Sequence, residues 1–259
     1  MMSSISGISG SLANSYLSLS SGKRINKAAD DAAGLAIAEK QKSQVSGYKA
    51  GTNNMVSAKS ALNIADGALG SINDYLQRIR ELAVSASNTA TVTNSDRAAM
   101  QSEVSQLLQG IGDVAKNANY NTLPLLDGSK NDYEIATDAN GSSRTVNMAD
   151  ATLDALGIKG FDLTKNFSIK TIDKAISMVN DSRSGIGAQT NALEYALNYN
   201  SSASYFATSA QSKIEDLDYP QAIEEKKKQE ALMQYSIFMQ KKKSEEEKNS
   251  VNKMFDMLA

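Results

Sequence analysis

The two adjacent acids Asp30 and Asp31 are the first place in this sequence to look for chemistry. Paired carboxylates can serve in acid–base catalysis or hold a metal ion, but such sites usually recruit histidine or cysteine as well. The chain of 259 residues contains neither residue type. We therefore predict no catalytic, cofactor-binding or metal-binding residues and no enzymatic activity. A helical pattern follows the two acids, so we interpret them as its cap or first-turn charge.

Two short motifs could still bind a ligand, and neither is complete. The segment "TDANG" looks like a fragment of a calcium loop, but Ala136 stands where a first acidic ligand would be needed, which favours a turn. The "GIG" segment that ends at Gly187 lacks the third glycine of a dinucleotide-binding loop and lies within a helical pattern.

Composition excludes further classes of protein. The chain has 27 basic and 29 acidic residues, so it carries no positive footprint for nucleic acid or an anionic membrane. No stretch approaches the roughly 18 apolar residues of a membrane span, and the N-terminus lacks the pattern of a secretory signal. We predict no nucleic-acid partner and no membrane partner.

Long helices are predicted for most of the chain, so any functional residues must lie on them or between them. Between residues 55 and 86 apolar residues recur at spacings of three and four, a sustained heptad seam that predicts a helix roughly 50 Å long with its flanks. Its members are Met55, Ala58, Leu62, Ala65, Leu69, Ile72, Leu76, Ile79, Ala83 and Ala86. Of these we assign Leu62, Leu69, Ile72, Leu76 and Ile79 to the core of a rod.

Two more helices and a hairpin follow. After the break "SNTATVTNSD", where Ser95 or Asp96 can cap, a second seam runs Met100, Val104, Leu107, Ile111, Val114, Ala118. A third seam runs Ile172, Ile176, Val179, Arg183, Ile186, Thr190, Leu193, Leu197. Between them "DYEIAT" and "RTVNM" alternate with period two, and Asn140–Gly141 is a type I′ turn signal, so we predict a β-hairpin.

The two ends are amphipathic but too narrow to form a core alone. We predict that they pair with each other, with Asp218 as a cap and Pro220 in the first turn of the C-terminal helix. The predicted fold is mainly α: a long antiparallel α-helical coiled-coil rod with a small β-hairpin, plus paired N- and C-terminal helices. Residues 1–22 and 219–259 form the inner terminal-helix domain, and residues 23–218 form the rod domain with the hairpin near 131–160. The joint between these domains is assigned to Arg24, Asp30, Asp31, Asp216 and Asp218.

Several separate motifs are similar to bacterial flagellin. They are "SSGKRINKAADDAAGLAIAEK" (20–40), "ALNIADGALGSINDYLQRIRELAVSASN" (61–88), "AISMVNDSRSGIGAQTNALE" (175–194) and "SKIEDLD" (212–218). The resemblance covers about residues 15–125 and 165–222, in the family's order. Only about 40 residues separate the two halves, so the chain resembles a short form that lacks the variable outer domains.

The resemblance implies a structural subunit that polymerises with copies of itself into the flagellar filament and serves motility. It also implies export through the flagellar type III apparatus and secretion into the extracellular filament of the bacterial flagellum. The partners that it implies are an export chaperone and the cap and junction proteins; it implies no cofactor. Two alternatives are a hook–filament junction protein and a secreted monomeric ligand of a host innate immune receptor.

The resemblance also points to a host receptor. Arg78, Leu82 and Glu103 match positions at which flagellins of this type are contacted by the animal Toll-like receptor 5. The same residues could instead serve packing between subunits, because Leu82 lies off the seam beside Ala83 and Arg78 lies on a polar face.

The C-terminal tail departs from the family, whose tails are normally poor in charge. Its blocks Lys226–Lys228, Lys241–Lys243 and Glu245–Glu247 are interpreted as solvated helix faces with i to i+4 charge pairs. If the family layout holds, this helix lines the central channel of the filament.

Overall fold

Five helices make up most of the chain. The computed structural model describes the backbone of residues 2–258 and the side chains of residues 7–252. The helices are α1 (Met2–Ser21), α2 (Ala32–Ala86), α3 (Asn94–Asn117), α4 (Ile169–Glu215) and α5 (Tyr219–Leu258). The strands are β1 (Asn119–Tyr120), β2 (Leu123–Pro124), β3 (Asp132–Ala136) and β4 (Ser143–Asn147). The predicted long helices, small β-hairpin and paired terminal helices are confirmed.

The chain forms two compact units. One consists of residues 1–43 and 205–259, and the other of residues 44–204. Helices α2 and α4 each contribute residues to both units. The predicted domain division at residues 22/23 and 218/219 remains a prediction.

The apolar seam of α2 is the centre of the unit 44–204. Every seam residue is buried except Ala58, which is half-buried. The five rod-core residues Leu62, Leu69, Ile72, Leu76 and Ile79 are all completely inaccessible. Buried side chains of α3 and α4 belong to the same cluster, among them Val104, Ile111, Ile172, Val179 and Leu193. Each buried Leu or Ile contributes about 1.5–3 kcal/mol, so this seam is a large source of stability.

The buried face of α3 differs from the predicted seam. Val104 and Ile111 are buried as expected, but Leu108 and Ala115 are buried in place of Leu107 and Val114, which are half-buried. The segment 148–163 contributes several residues to the same core. The side chain of Gln101 on α3 donates to Phe161 O and accepts from Leu163 N, so it binds the backbone of this segment. Because α3 packs both on α2 and under this segment, its buried face is broader than a coiled-coil seam.

Helix α3 also begins earlier than predicted. Its N-cap is Thr93, whose hydroxyl accepts from Asp96 N at 3.2 Å, while the Asp96 carboxylate accepts from Thr93 N at 2.9 Å. This reciprocal capping box makes Asp96 a first-turn acid rather than the cap, and leaves Ser95 inside the helix. The hydrogen bonds from Thr93 lower the pKa of Asp96.

The hairpin pairs β3 with β4 in antiparallel register, from Asp132 opposite Asn147 to Ala136 opposite Ser143. Its loop is longer than the predicted two-residue type I′ turn. Gly141 has φ of 82°, but Asn140 is not in the positive-φ region that such a turn requires. The Asp138 carboxylate instead organises the loop by accepting from Asn140 N at 2.8 Å and Ser142 N at 3.0 Å.

The hairpin tip rests directly on the backbone of α2. Gly47 lies against Ala139, and Gly51 lies against the carbonyl of Thr137, so closely that a Cβ at either position would collide with the tip. The buried side chain of Asn200 on α4 donates to the same Thr137 carbonyl, and Asn54 donates to Ala136 O at 3.2 Å. Two glycines one helical turn apart therefore form a notch that holds the hairpin.

We expect Gly51→Ala to lower the free energy of unfolding by about 1–3 kcal/mol, because the new methyl group pushes the hairpin tip off α2. Gly67→Ala is the matched control: Gly67 is exposed in the same helix and has open space around it, so alanine should stabilise the chain by about 1 kcal/mol or less. Urea denaturation of both variants measures the difference. Equal stabilities would contradict the docking of the tip on this notch.

Candidate functional site: the joint and the exposed helix faces

The two connections α1–α2 and α4–α5 are tied together by backbone hydrogen bonds. We call residues 22–31 and 211–221 the joint. Arg24 N donates to Glu215 O at 2.7 Å, and Leu217 N donates to Gly22 O at 3.0 Å. Lys23 and Asp216 thus form an isolated antiparallel bridge. The bonds hold the start of one long helix beside the end of another.

Asp30 and Asp31 serve the structure of the joint. The Asp31 carboxylate accepts from Gly34 N at 2.8 Å and caps α2, and the Asp30 carboxylate closes the preceding turn by accepting from Asn26 N and Lys27 N at 3.0 and 2.9 Å. These two backbone hydrogen bonds lower the pKa of Asp30. Both carboxylates therefore accept backbone hydrogen bonds, one at the start of a helix and the other in a turn.

Arg24 links the two segments of the joint. Its Nη2 donates to Ile214 O at 2.7 Å and lies 3.7 Å from the Asp31 carboxylate. Asp218 accepts from Gln221 N at 3.3 Å at the start of α5, and Asp216 accepts from the hydroxyl of Ser212. All five predicted joint residues lie in these two segments, and their role at a boundary between domains remains a prediction.

A half-buried ion pair that the sequence did not indicate lies in the same place. The side chain of Glu215 is only 6% exposed and accepts from Lys23 Nζ and, at 2.9 Å, from Gln211 Nε2. The hydrogen bond from Lys23, reinforced by Gln211, lowers the pKa of Glu215, and the same bond raises the pKa of Lys23. Glu215 stands in the quoted "SKIEDLD" beside two other acids, and nothing in their spacing distinguishes it.

The three predicted receptor-contact residues do not share one surface. Arg78 Nε lies 2.7 Å from Glu103 Oε1, and Arg78 Nη1 lies 2.9 Å from Glu81 Oε2, an exposed arrangement that raises the pKa of Arg78. Leu82 is only 7% exposed and belongs to the hydrophobic core. Leu82 and its neighbour Ala83 are both buried, so Leu82 cannot serve as an exposed anchor in the isolated chain.

Three polar contacts join α1 and α5. Ser15 Oγ donates to Gln229 Oε1 at 2.9 Å, Tyr16 OH donates to Glu230 Oε1 at 3.0 Å, and Lys226 Nζ lies 4.4 Å from the centre of the Tyr16 ring. Of the predicted terminal apolar stripes, Ile8 and Leu12 are half-buried and Val251 is exposed. Ile5, Met254, Phe255 and Leu258 lie outside the residues whose side chains are described.

Large apolar side chains of the unit formed by residues 1–43 and 205–259 are left exposed. The set comprises Tyr16, Leu17, Ile37, Tyr205, Phe206, Tyr219, Ile223, Leu232, Tyr235, Ile237, Phe238, Met239 and Val251. Monomeric proteins seldom expose so many apolar side chains on a single unit, and such surfaces are typical of protein–protein contacts.

The charge blocks of α5 form pairs along the helix, as predicted. Lys226 lies 3.5 Å from Glu230 and Lys243 lies 4.0 Å from Glu247, both at i to i+4 spacing. Across the described residues no cluster of three or more potential metal ligands is found. None of the helices traced in the structure is long and apolar enough to cross a membrane.

Two family models match the chain. The bacterial flagellin N-terminal helical region matches residues 1–131, and the bacterial flagellin C-terminal helical region matches residues 169–249. A flagellin of Bacillus subtilis is 35% identical, with 84% of each chain covered. A flagellar filament core protein of Brachyspira hyodysenteriae is 32% identical, covering 88% of this chain and 87% of its own.

Solved structures agree in fold. The crystal structure of Bacillus cereus flagellin aligns with a TM-score of 0.51 at 33% identity, covering 57% of this chain and 88% of that chain. A putative flagellar hook-associated protein from Vibrio parahaemolyticus aligns with a TM-score of 0.62 at 16% identity, covering 72% of this chain and all of its own, which shows a shared fold alone.

We expect the joint to weaken in acid. Because the pKa of Glu215 is lowered in the folded chain, its stabilisation is present above the ordinary glutamate pKa and is lost as the pH falls through the folded value. The raised pKa of Lys23 implies a second loss at high pH, above the ordinary lysine value. Glu215→Gln should therefore reduce local stability by about 1 kcal/mol at neutral pH, a modest loss because Lys23 is partly screened by solvent. The same change should make the stability of the joint less dependent on pH in acid.

Hydrogen-exchange protection of the Arg24 amide, which bonds Glu215 O, is the measurement. Glu225→Gln on the exposed side of α5 is the control and should leave that protection unchanged. A variant Glu215→Gln with the acid profile of the parent would exclude this ion pair as the cause.

Proposed function

This chain belongs to the bacterial flagellin family, and from that premise we propose that its copies join through the exposed apolar faces of α1 and α5 when they build the flagellar filament. Members of this family are structural proteins, and the relatives reported above are flagellins and filament core proteins. The chain is therefore a structural subunit of the filament. The alternative of a junction protein is not favoured, because the hook-associated likeness extends to the fold alone.

One observation carries the proposed mode of assembly. No described side chain of α1 or α5 is fully buried, and Tyr235 and Phe238 of α5 are each 63% exposed. Apolar surface in water is unfavourable by about 25 cal/mol per Å², so covering these faces with further copies is a strong drive to associate. Contacts between different faces of identical copies generate open helical polymers.

The remaining partners follow from the same premise. We propose that residues 1–22 and 219–259 act as the inner terminal domain and residues 23–218 as the rod domain of the assembled subunit. Because the pair of α1 and α5 has little core of its own, it gains order mainly from neighbouring copies, which suits a chain that is exported unfolded through the type III apparatus with an export chaperone. The cap and junction proteins would then meet the same terminal faces at the filament ends.

A host receptor is a further proposed partner. The surface available to Toll-like receptor 5 on the unit 44–204 is the exposed cluster of Arg78, Glu81 and Glu103, in which the guanidinium offers planar, multi-donor contacts. Leu82 would support this cluster from beneath rather than touch the receptor, since it is buried.

Deleting residues 220–259 should leave a soluble, helical chain that does not polymerise, because the exposed face of α5 is removed with its polar partner contacts. A milder variant tests the face itself: Tyr235→Ser with Phe238→Ser should abolish or slow filament growth, while the exposed neighbour change Gln234→Ser should not. Negative-stain microscopy with sedimentation counts the filaments. Normal filaments from the deleted chain would refute assembly through the terminal helices.

Arg78→Ala should weaken binding of the soluble chain to the ectodomain of Toll-like receptor 5 by about 1–3 kcal/mol, because it removes the central donor of the cluster. The matched control is Arg80→Ala, an arginine of the same helix that pairs with Asp173 at 2.7 Å and is exposed to a similar degree. Surface plasmon resonance gives both affinities. An unchanged affinity for Arg78→Ala would remove this residue from the receptor surface.

A further inference from the structure

The loop of the β-hairpin contains a pair of residues whose own groups can react with each other. Asn140 is followed by Gly141, and no other asparagine of the chain is followed by glycine. The side-chain carbonyl carbon of an asparagine lies within reach of the next backbone nitrogen, and attack by that nitrogen closes a five-membered ring. A side chain on the next residue would shield the nitrogen, and glycine has none. This pair is therefore the most reactive asparagine site in the sequence.

The structure leaves both residues of this pair open to the reaction. Asn140 and Gly141 are exposed, so water reaches them. Within the described residues, the side-chain amide of Asn140 has no hydrogen-bond partner. Beyond its two neighbours in the chain, no described atom lies within 4 Å of the place where a Cβ on Gly141 would stand. Ring closure at this pair therefore displaces no packed side chain.

One carboxylate organises the loop around this pair. Asp138 accepts from Asn140 N at 2.8 Å and from Ser142 N at 3.0 Å, on either side of the Asn140–Gly141 bond. The hydroxyl of Ser142, followed by its amide, lowers the pKa of Asp138, so the carboxylate is charged. Thr137 N donates to Ser142 O at 2.8 Å and closes the loop at its base. The shape of the tip therefore depends on the ordinary backbone spacing at position 140.

We propose that Asn140 is a site of spontaneous deamidation, and that its products loosen the hairpin tip from the notch formed by Gly47 and Gly51. Gly141 N loses its proton to hydroxide and attacks Cγ of Asn140, so that a C–N bond forms and the side-chain nitrogen leaves as ammonia. Water then opens the resulting succinimide at either of its carbonyls, which leaves aspartate or isoaspartate at position 140. The net reaction consumes water, releases ammonia and involves no oxidant or reductant.

Two other asparagines of the unit 44–204 are followed by a small residue, serine, but are held by the fold. Asn200 is only 3% exposed, and its side chain donates to Thr137 O. Asn94 begins α3, where the helical backbone holds the next nitrogen away from the side-chain carbonyl. Both residues serve as internal controls, because they are present in every sample of the chain.

The products change the loop at the point where it is organised. Both carry a new carboxylate close to that of Asp138, and like charges repel. Isoaspartate also routes the main chain through its side-chain carbons, which lengthens the backbone between the nitrogen of residue 140 and Gly141. The longer path disturbs the two hydrogen bonds that Asp138 accepts on either side of this bond. Because the same tip lies against the α2 notch, a disordered tip loses its docking contact.

Peptide mapping of the aged chain tests the site. The full-length, unassembled chain is kept at mildly alkaline pH, and mass spectrometry of digests follows conversion at each asparagine. Asn140 should convert at least about tenfold faster than Asn94 and Asn200. A parallel sample in urea gives the rate without the fold, and the native rate should lie within about tenfold of it, because exposed loops open at little cost. Slower conversion than either limit would overturn the proposal.

Asn140→Gln is the matched variant that should not react. Glutamine keeps the side-chain amide, but its attack would need a six-membered ring, which closes much more slowly. Release of ammonia should therefore fall at least about tenfold relative to the parent, while conversion at Asn94 stays the same. Ammonia release at the parent's rate would assign the reaction to another residue and overturn the proposal.

Hydrogen exchange tests the effect on the tip. In the aged parent, the amides of Thr137 and Ser142 should exchange at least about fivefold faster than in the fresh chain, while the amide of Ile72 in the α2 core stays unchanged. Asn140→Gln aged in parallel should match its own fresh sample. Unchanged exchange at Thr137 and Ser142 in a fully converted chain would overturn the loosening of the tip. The test uses unassembled chains, so its outcome is independent of the proposed assembly.

Discussion

The buried seam of α2 is the interaction on which the rest of the unit 44–204 depends. Its apolar residues recur at spacings of three and four over about nine turns, and the leucines and isoleucines among them are completely inaccessible. Helices α3 and α4, the segment 148–163 and the hairpin all gain their buried surface from this one stripe or from its neighbours. The Gly47–Gly51 notch extends the same helix beyond the seam, where it accepts backbone instead of side chains. A single regular helix therefore positions both the core and the irregular elements that cover it.

The terminal helices α1 and α5, unlike α2, have no buried apolar seam among their described residues. No described side chain of α1 or α5 is fully buried, and many of their large apolar side chains are exposed. Such a pair is weak as a folding unit, and in the proposed assembly neighbouring copies supply the missing core. The joint ties the ends of these helices to the long helices through backbone hydrogen bonds and the Lys23–Glu215 ion pair, whose strength does not depend on assembly. The joint thus connects α1 and α5 to the adjoining ends of α2 and α4 within the single chain.

The buried face of a helix could be predicted from the sequence where that helix packs along a single apolar stripe. The phase of α2 could be predicted because its seam packs like a coiled coil, whereas α3 is covered from two sides and its buried face moved to Leu108 and Ala115. The same broadening near the end of α2 buried Leu82, which the strict seam left outside. Asp31 was recognisable as a cap from its position before a helical run, but Glu215 pairs with Lys23, which lies 192 positions away. Contacts of that range leave no periodic signal in one sequence. Likewise, the hairpin turn was set by the carboxylate of Asp138 rather than by the Asn–Gly pair alone.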